Sequence, residues 1–178
     1  SFNVKFKDKN EKDQYAWQTS WGFSTRLIGV IIMVHSDNKG FVLPPRIAKN
    51  KIVIVPILFD KTKEKIIKKS KDIEKKLSKY NPILDMREEY SPGWKFNEYE
   101  LKGIPIRIEL GPKDIEKKQV TIVRRDTSEK LFVKEKDLIK KIPQLLDEIQ
   151  ENLFNKAKKF LEKNIDSANN MNELKRKI

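Results

Sequence analysis

The sequence predicts an α/β fold built on a mixed sheet of about five strands flanked by helices. Three observations carry that expectation. From Ile52 to Leu110, short β-branched runs alternate with helical repeats, the pattern of parallel strands joined by crossover helices. Two more strand patterns, Gln119 to Arg125 and Lys130 to Val133, are separated only by Asp126 to Glu129, which joins them as an antiparallel hairpin. Finally, Leu138, Ile142, Leu145, Ile149, Leu153, Ala157 and Phe160 recur at helical spacing, which gives a long amphipathic helix.

Taken in order, residues 1–16 are polar and charged with weak alternation at Phe2, Val4 and Phe6, and read as an edge strand or a remnant of another domain. Leu27 to Val34 is a near-continuous apolar run rich in Ile and Val, the composition of a strand buried on both faces. Ser36 to Gly40 is a turn signal leading to Phe41 to Leu43, as in a hairpin. Pro44 and Pro45, with Arg46 to Asn50, read as a linker. Strand Ile52 to Leu58 follows, then helix Glu64 to Tyr80 with Ile66, Ile73 and Leu77 on one stripe and lysines elsewhere, then strand Ile83 to Met86. Ser91 is a good helix N-cap with Pro92 at the first helical position, where a missing N–H costs nothing. That helix runs to Leu101, and Gly103 ends it. In the next strand, Ile104 to Leu110, the residues Ile104, Ile106, Ile108 and Leu110 share one face while Arg107 and Glu109 point from the other. Pro143 is expected near the start of the long helix.

Composition narrows the function. The chain has 178 residues, no cysteine and one histidine, so disulfides, Cys-ligated zinc and a thiol nucleophile are excluded within it. His35, a lone histidine after an apolar run, is assigned no role. No Gly-rich phosphate loop and no metal-ligand cluster is present, so no metal site is expected. The net charge of +13 suits a polyanionic partner, because Lys and Arg on phosphates release condensed counterions. Charged residues make up 37% of the chain, against about a quarter in an average domain, so many lysines serve as a solvated surface. No apolar run approaches the ~20 residues that span a bilayer, and the chain reads as soluble and cytoplasmic, without a membrane partner.

Four segments, SPGWKFNEYELKG (residues 91–103), GIPIRIELGPKD (103–114), QVTIVRRDTSEK (119–130) and LLDEIQENLFNKA (145–157), resemble the anticodon-binding domain of the archaeal and eukaryotic-like type of prolyl-tRNA synthetase. Upstream, WQTSWGFSTRLIGVIIMVHSDNKGFVLPPRIA (17–48) resembles motif 3 of the same class II enzymes. The resemblance implies three parts: residues 1–46 as a β remnant of the catalytic domain, 47–142 as a three-layer anticodon-binding domain, and 143–178 as the helical start of a C-terminal domain. It implies a parent enzyme, a homodimer, that activates L-proline with ATP and Mg²⁺ and attaches it to tRNA(Pro), of which this piece is an inactive fragment with no complete catalytic set and no cofactor of its own. Two other readings remain, a non-catalytic RNA- or protein-binding module and a sister class II enzyme for threonine, glycine or histidine.

The same resemblance assigns roles. Arg26 matches the arginine that binds ATP, a task suited to a planar guanidinium on phosphates. Ser20, Trp21 and Gly22 match the lining of the proline pocket. Glu100 and Arg107 match the readers of the anticodon guanines, where a carboxylate takes N1–H and the amine while an arginine meets O6 and N7. Lys113 and Lys130 match weaker contacts to the anticodon loop. The residues themselves also allow plainer roles: Trp21 in a core, Arg26 as a surface cap, and Arg107 in an ion pair with Glu109 or Glu100. Trp94, Phe96 and Tyr99 suit either base stacking or helix-to-sheet packing.

Overall fold

The computed structural model describes residues 2–177; Ser1 and Ile178, the ends of the first and last predicted parts, lie outside the described residues. The chain divides into a small unit ending at Val30 and a large one from Ile31 onward.

In the small unit, β1 (Lys5–Lys7) pairs antiparallel with β2 (Asp13–Tyr15), and every residue of both strands is exposed. The alternation at Val4 and Phe6 thus yields a strand, but a two-stranded ribbon with no second layer has nothing to bury. Residues 16–24 form neither helix nor strand. Helix α1 (Arg26–His35) corrects the expected strand at Leu27 to Val34, and none of its residues is buried. No described strand pairs with this run, and a helix satisfies its N–H and C=O groups internally where a strand needs a neighbour.

The large unit holds a sheet of β3 (Ile52–Pro56), β4 (Ile83–Leu84), β5 (Ile106–Leu110), β6 (Gln119–Arg124) and β7 (Lys130–Lys134), in the order β4-β3-β5-β6-β7. Strand β3 runs parallel to β4 and β5, whereas β5 to β6 and β6 to β7 are antiparallel, so the sheet is mixed and has five strands as expected. Helices α2 (Lys63–Lys76) and α3 (Pro92–Leu101) are the crossovers. The short α4 (Pro112–Glu116), missed in the sequence, joins β5 to β6, and α5 (Leu138–Lys163) and α6 (Met171–Lys177) close the chain.

One face of the sheet is hydrocarbon. Ile52, Ile54, Ile106, Ile108, Leu110, Val120 and Ile122 pack against Ile66, Ile73 and Leu77 and against the stripe Leu138, Ile142, Leu145, Ile149 and Leu153. Each such side chain stabilises by about 1.5–3 kcal/mol on burial. On the other face, α3 lays Tyr99 and Phe96 over Val53, Val55 and Ile83.

Several expectations are corrected here. Ile104 packs with the α3 cluster, not with Ile106, Ile108 and Leu110, because strand geometry begins only at Ile106, after Pro105. Phe41 to Leu43 forms no hairpin strand: the N–H groups of Phe41 and Leu43 donate to the carbonyls of Leu101 and Gly103 (3.1 and 3.3 Å). That close approach explains two glycines. A Cβ on Gly40 (φ +126°) would lie 2.6 Å from Leu101 Cα, and one on Gly103 (φ +73°) would lie 2.7 Å from Phe41 Cβ, where positive φ already favours glycine. Pro44, Pro45 and Ala48, read as linker, are buried; the Arg46 N–H donates to Gln150 Oε1 (3.1 Å) and Lys51 Nζ to the Pro45 carbonyl (2.5 Å). Pro143 sits inside α5, not at its start. Leu138 and Ile142 before it and Leu145 to Leu153 after it are buried on one stripe, and together their burial outweighs the ~3 kcal/mol that an interior proline costs. Beyond Leu153 the stripe goes uncovered, with Phe160 exposed.

Candidate nucleic-acid interface

The site is assembled by α3 and the strand it feeds. The Ser91 hydroxyl accepts from the Trp94 N–H (3.3 Å), which fixes the start of α3 as the sequence indicated. Its far end returns through Gly103 to β5, so Glu100 meets Arg107. Strand parity puts Arg107 and Glu109 on the α3 face, opposite the apolar core. Arg107 Nη1 donates to Glu100 Oε1 (2.9 Å) and Nε to Glu109 Oε1 (3.0 Å), while its guanidinium lies 4.2 Å from the Phe96 ring centre. The ion pair that the sequence left open for Arg107 is therefore present, with both carboxylates. Arg107 is only 8% exposed. Two lysines complete the cluster: Lys39 Nζ lies 3.9 Å from Glu100 and Lys130 Nζ 3.6 Å from Glu109. The space enclosed among Tyr99, Glu100, Arg107, Val123 and Arg125 is about 10 Å³, at most one water. Anything as large as a base must sit on this surface, not in it.

Sequence reasoning missed the clamp behind Glu100. Arg125 Nε donates to the Glu100 carbonyl (2.9 Å), and its Nη1 and Nη2 donate to the two oxygens of Asp37 (both 2.7 Å). Hydrogen bonds from Arg125 outweigh partial burial and hold the Asp37 carboxyl at about 2. The Lys39 N–H donates back to Asp37 (2.8 Å), so the turn at Ser36 to Gly40 presents Lys39 to Glu100. Adjacent arginines were the available signal. Arg124 turns the other way, to Asp126 (Nε, 3.0 Å; Nη2, 2.8 Å) and Glu148 on α5 (3.1 Å).

The remaining predicted residues are dispersed. Lys130 is at the site, but Lys113 is on α4 past the other end of β5, exposed. Tyr99 and Phe96 pack in the core, whereas Trp94 is 44% exposed and stacks on Tyr90 with ring centres 4.0 Å apart. In the small unit Ser20, Trp21 and Gly22 lie on exposed irregular chain and Arg26 opens α1, also exposed.

Residues 51–145, more than half of the chain, match the family model described as the anticodon binding domain. The chain belongs to that family. Its curated relatives include a proline–tRNA ligase of Natranaerobius thermophilus, 51% identical over 97% of this chain and 36% of that protein. A proline–tRNA ligase 2 of Bacillus anthracis is 52% identical over 99% of the chain and 34% of its own length. A proline–tRNA ligase of Clostridium novyi is 47% identical over 98% and 36%. The chain thus spans about a third of the relatives it matches. Among the described residues, no helix is long and apolar enough to cross a membrane.

A second polar cluster supports α3 in this anticodon-binding domain. Asp85, 4% exposed, accepts from Arg87 Nε (3.0 Å) and Nη2 (2.6 Å) and from the Tyr99 hydroxyl (3.1 Å). Lys95, 3% exposed, donates to the carbonyls of Asp85 and Arg87. Arg87 also pairs with Glu98. Burial pushes Asp85 up, but Arg87 and Lys95 prevail and hold it at about 2. Burial and the Asp85 charge push Tyr99 up to about 12. Asp85 also fastens this cluster to the sheet, since its N–H donates to the Ile54 carbonyl (3.0 Å).

Proposed function

We propose that this anticodon-binding domain binds the anticodon loop of tRNA(Pro) and reads its guanines with Glu100 and Arg107. The observation that carries the reading is the Glu100–Arg107 pair itself: a carboxylate and a guanidinium, hydrogen-bonded to each other at 2.9 Å and fixed from behind by Glu109, Phe96 and Arg125. Such a pair offers acceptors for guanine N1–H and its amine beside donors for O6 and N7. Lys39 and Lys130, whose side chains are both 56% exposed, are the movable members that give way or turn to phosphate when RNA arrives. Lys113 adds a weaker contact to the loop.

Binding of a proline anticodon stem-loop, followed by fluorescence anisotropy across a salt series, tests this. Arg107→Ala is expected to weaken binding about five- to 150-fold, the worth of one good base contact. A stem-loop lacking the guanines should bind weakly and respond little to the substitution. Equal affinity for both stem-loops would overturn the reading.

On the same basis, the longer protein would be a cytoplasmic, homodimeric proline–tRNA ligase that uses ATP and Mg²⁺, with Arg26 toward ATP and Ser20, Trp21 and Gly22 toward proline, and with residues 1–46, 47–142 and 143–178 as its catalytic, anticodon-binding and C-terminal portions. Proline-dependent ATP–pyrophosphate exchange should appear in that protein and not in residues 1–178 alone. Exchange with threonine, glycine or histidine instead, or none at all, would favour a sister enzyme or a non-catalytic module.

A further inference from the structure

Strand β7 is one edge of the sheet, and its residues alternate cleanly. Leu131 and Val133 pack against the apolar core, so Lys130, Phe132 and Lys134 project from the opposite face, the face of Arg107 and Glu109, and all three are exposed. The pairing fixes their place. Arg107 lies opposite Val123, which lies opposite Lys130, and Glu109 lies opposite Thr121, which lies opposite Phe132. Phe132 is therefore two strand spacings from Glu109, about 10 Å. It is 69% exposed, and among the described residues neither α3 nor any other element covers that side chain, so packing does not call for an aromatic there. An isolated apolar residue on a surface is ordinary, but this one is flanked at both same-face positions by lysine and is joined to the reading pair through charge. Lys130 approaches Glu109 at 3.6 Å, and Glu109 holds Arg107 at 3.0 Å.

We propose that Phe132 is a stacking platform for an unpaired nucleotide next to those read at Glu100 and Arg107, with Lys130 and Lys134 beside it for backbone phosphates. This inference rests on the anticodon-loop reading above. The occupant is single-stranded RNA because an exposed ring between cations suits a base with its phosphates, which stack and neutralise together. It is a loop nucleotide because the platform continues the reading surface along the same face, from the level of Arg107 toward the α4 end of the sheet, where Lys134 pairs with Gln119.

The test uses proline anticodon stem-loops carrying 2-aminopurine at successive loop positions, with the unlabelled stem-loop for affinity. Phe132→Ala is expected to weaken binding about five- to 150-fold, the worth of one base stacked on an aromatic. It should also abolish the fluorescence quenching at one loop position, while Phe132→Trp restores both. Phe132→Leu, which keeps apolar bulk without a π face, should behave like the alanine variant. Since the side chain is exposed, thermal melts of all three variants should match the parent within a few degrees. Unchanged affinity and quenching in Phe132→Ala, with Arg107→Ala still weakened, would overturn this inference and leave the anticodon reading standing. If neither Arg107→Ala nor replacement of the guanines alters binding, the anticodon reading falls and the platform with it.

Discussion

The two faces of the sheet solve the same packing problem with opposite chemistry. Under α2 and α5, the buried surface is almost entirely Ile, Leu and Val, and its cohesion is nondirectional. Under and beside α3, a small apolar patch is framed by Asp85, Arg87, Lys95, Arg107, Glu109 and Arg125. All but the partly exposed Arg87 are buried, and each buried group loses hydration that only a specific partner replaces. The hydrocarbon face therefore tolerates shape-conserving change and supplies stability. The α3 face tolerates little change in its buried charges, and it fixes polar side chains at defined positions, which a recognition surface needs.

The sharpest way to break that contrast is Asp85→Ala. It leaves the buried Lys95 without its carboxylate and Arg87 with Glu98 alone, and should cost about 3–5 kcal/mol, read as a lowered midpoint in urea. On the hydrocarbon face, Ile108→Ala removes a side chain with 0% exposure and should cost about 2–5 kcal/mol, whereas Ile108→Val should cost about 1 kcal/mol. A conservative change on the α3 side with an equally small cost, Asp85→Asn for example, would erase the distinction between the faces.

Titration sharpens it further. Asp85 is held at about 2, below the ordinary value near 3.9, so its contribution is complete above the unfolded-state value and is lost as pH falls through about 4 to about 2. The loss is about 2–3 kcal/mol. Urea midpoints across that window should fall in the parent and fall less in Asp85→Ala; parallel profiles would refute the assignment. The smallest effect belongs to Lys130→Ala. Its side chain is 56% exposed, so stability should change by under ~1 kcal/mol, while the slope of log affinity for the stem-loop against log salt should drop by about one.

Much of this was legible in the residues. The α3 boundaries follow from Ser91, Pro92 and Gly103, and the hairpin of β6 and β7 from the short connection at Asp126 to Glu129. The opposition of Arg107 and Glu109 to Ile106 and Ile108 follows from strand parity alone. Leu27 to Val34 was misread because a short apolar run has the same composition in a buried strand and in a helix, and the deciding factor is whether a neighbouring strand is present. Pro143 was misplaced because local propensity penalises it there, while the stripe on both sides of it gains more by burial. In space, Arg107 pairs with Glu100 and Lys130 lies beside Glu109, whereas Lys113 is on α4, past the far end of β5.

By itself, the sequence determined the order and type of the sheet elements, the apolar face and the family. These depend on periodicity and on residues close together in the chain, where backbone geometry converts spacing directly into position. Only the tertiary structure decided which charges meet. Asp37 reaches Arg125, Asp85 gathers Lys95 and Tyr99, and Lys39 comes to Glu100. Those contacts link residues far apart in the chain, and electrostatic partnership depends on distance in space, which no local pattern encodes.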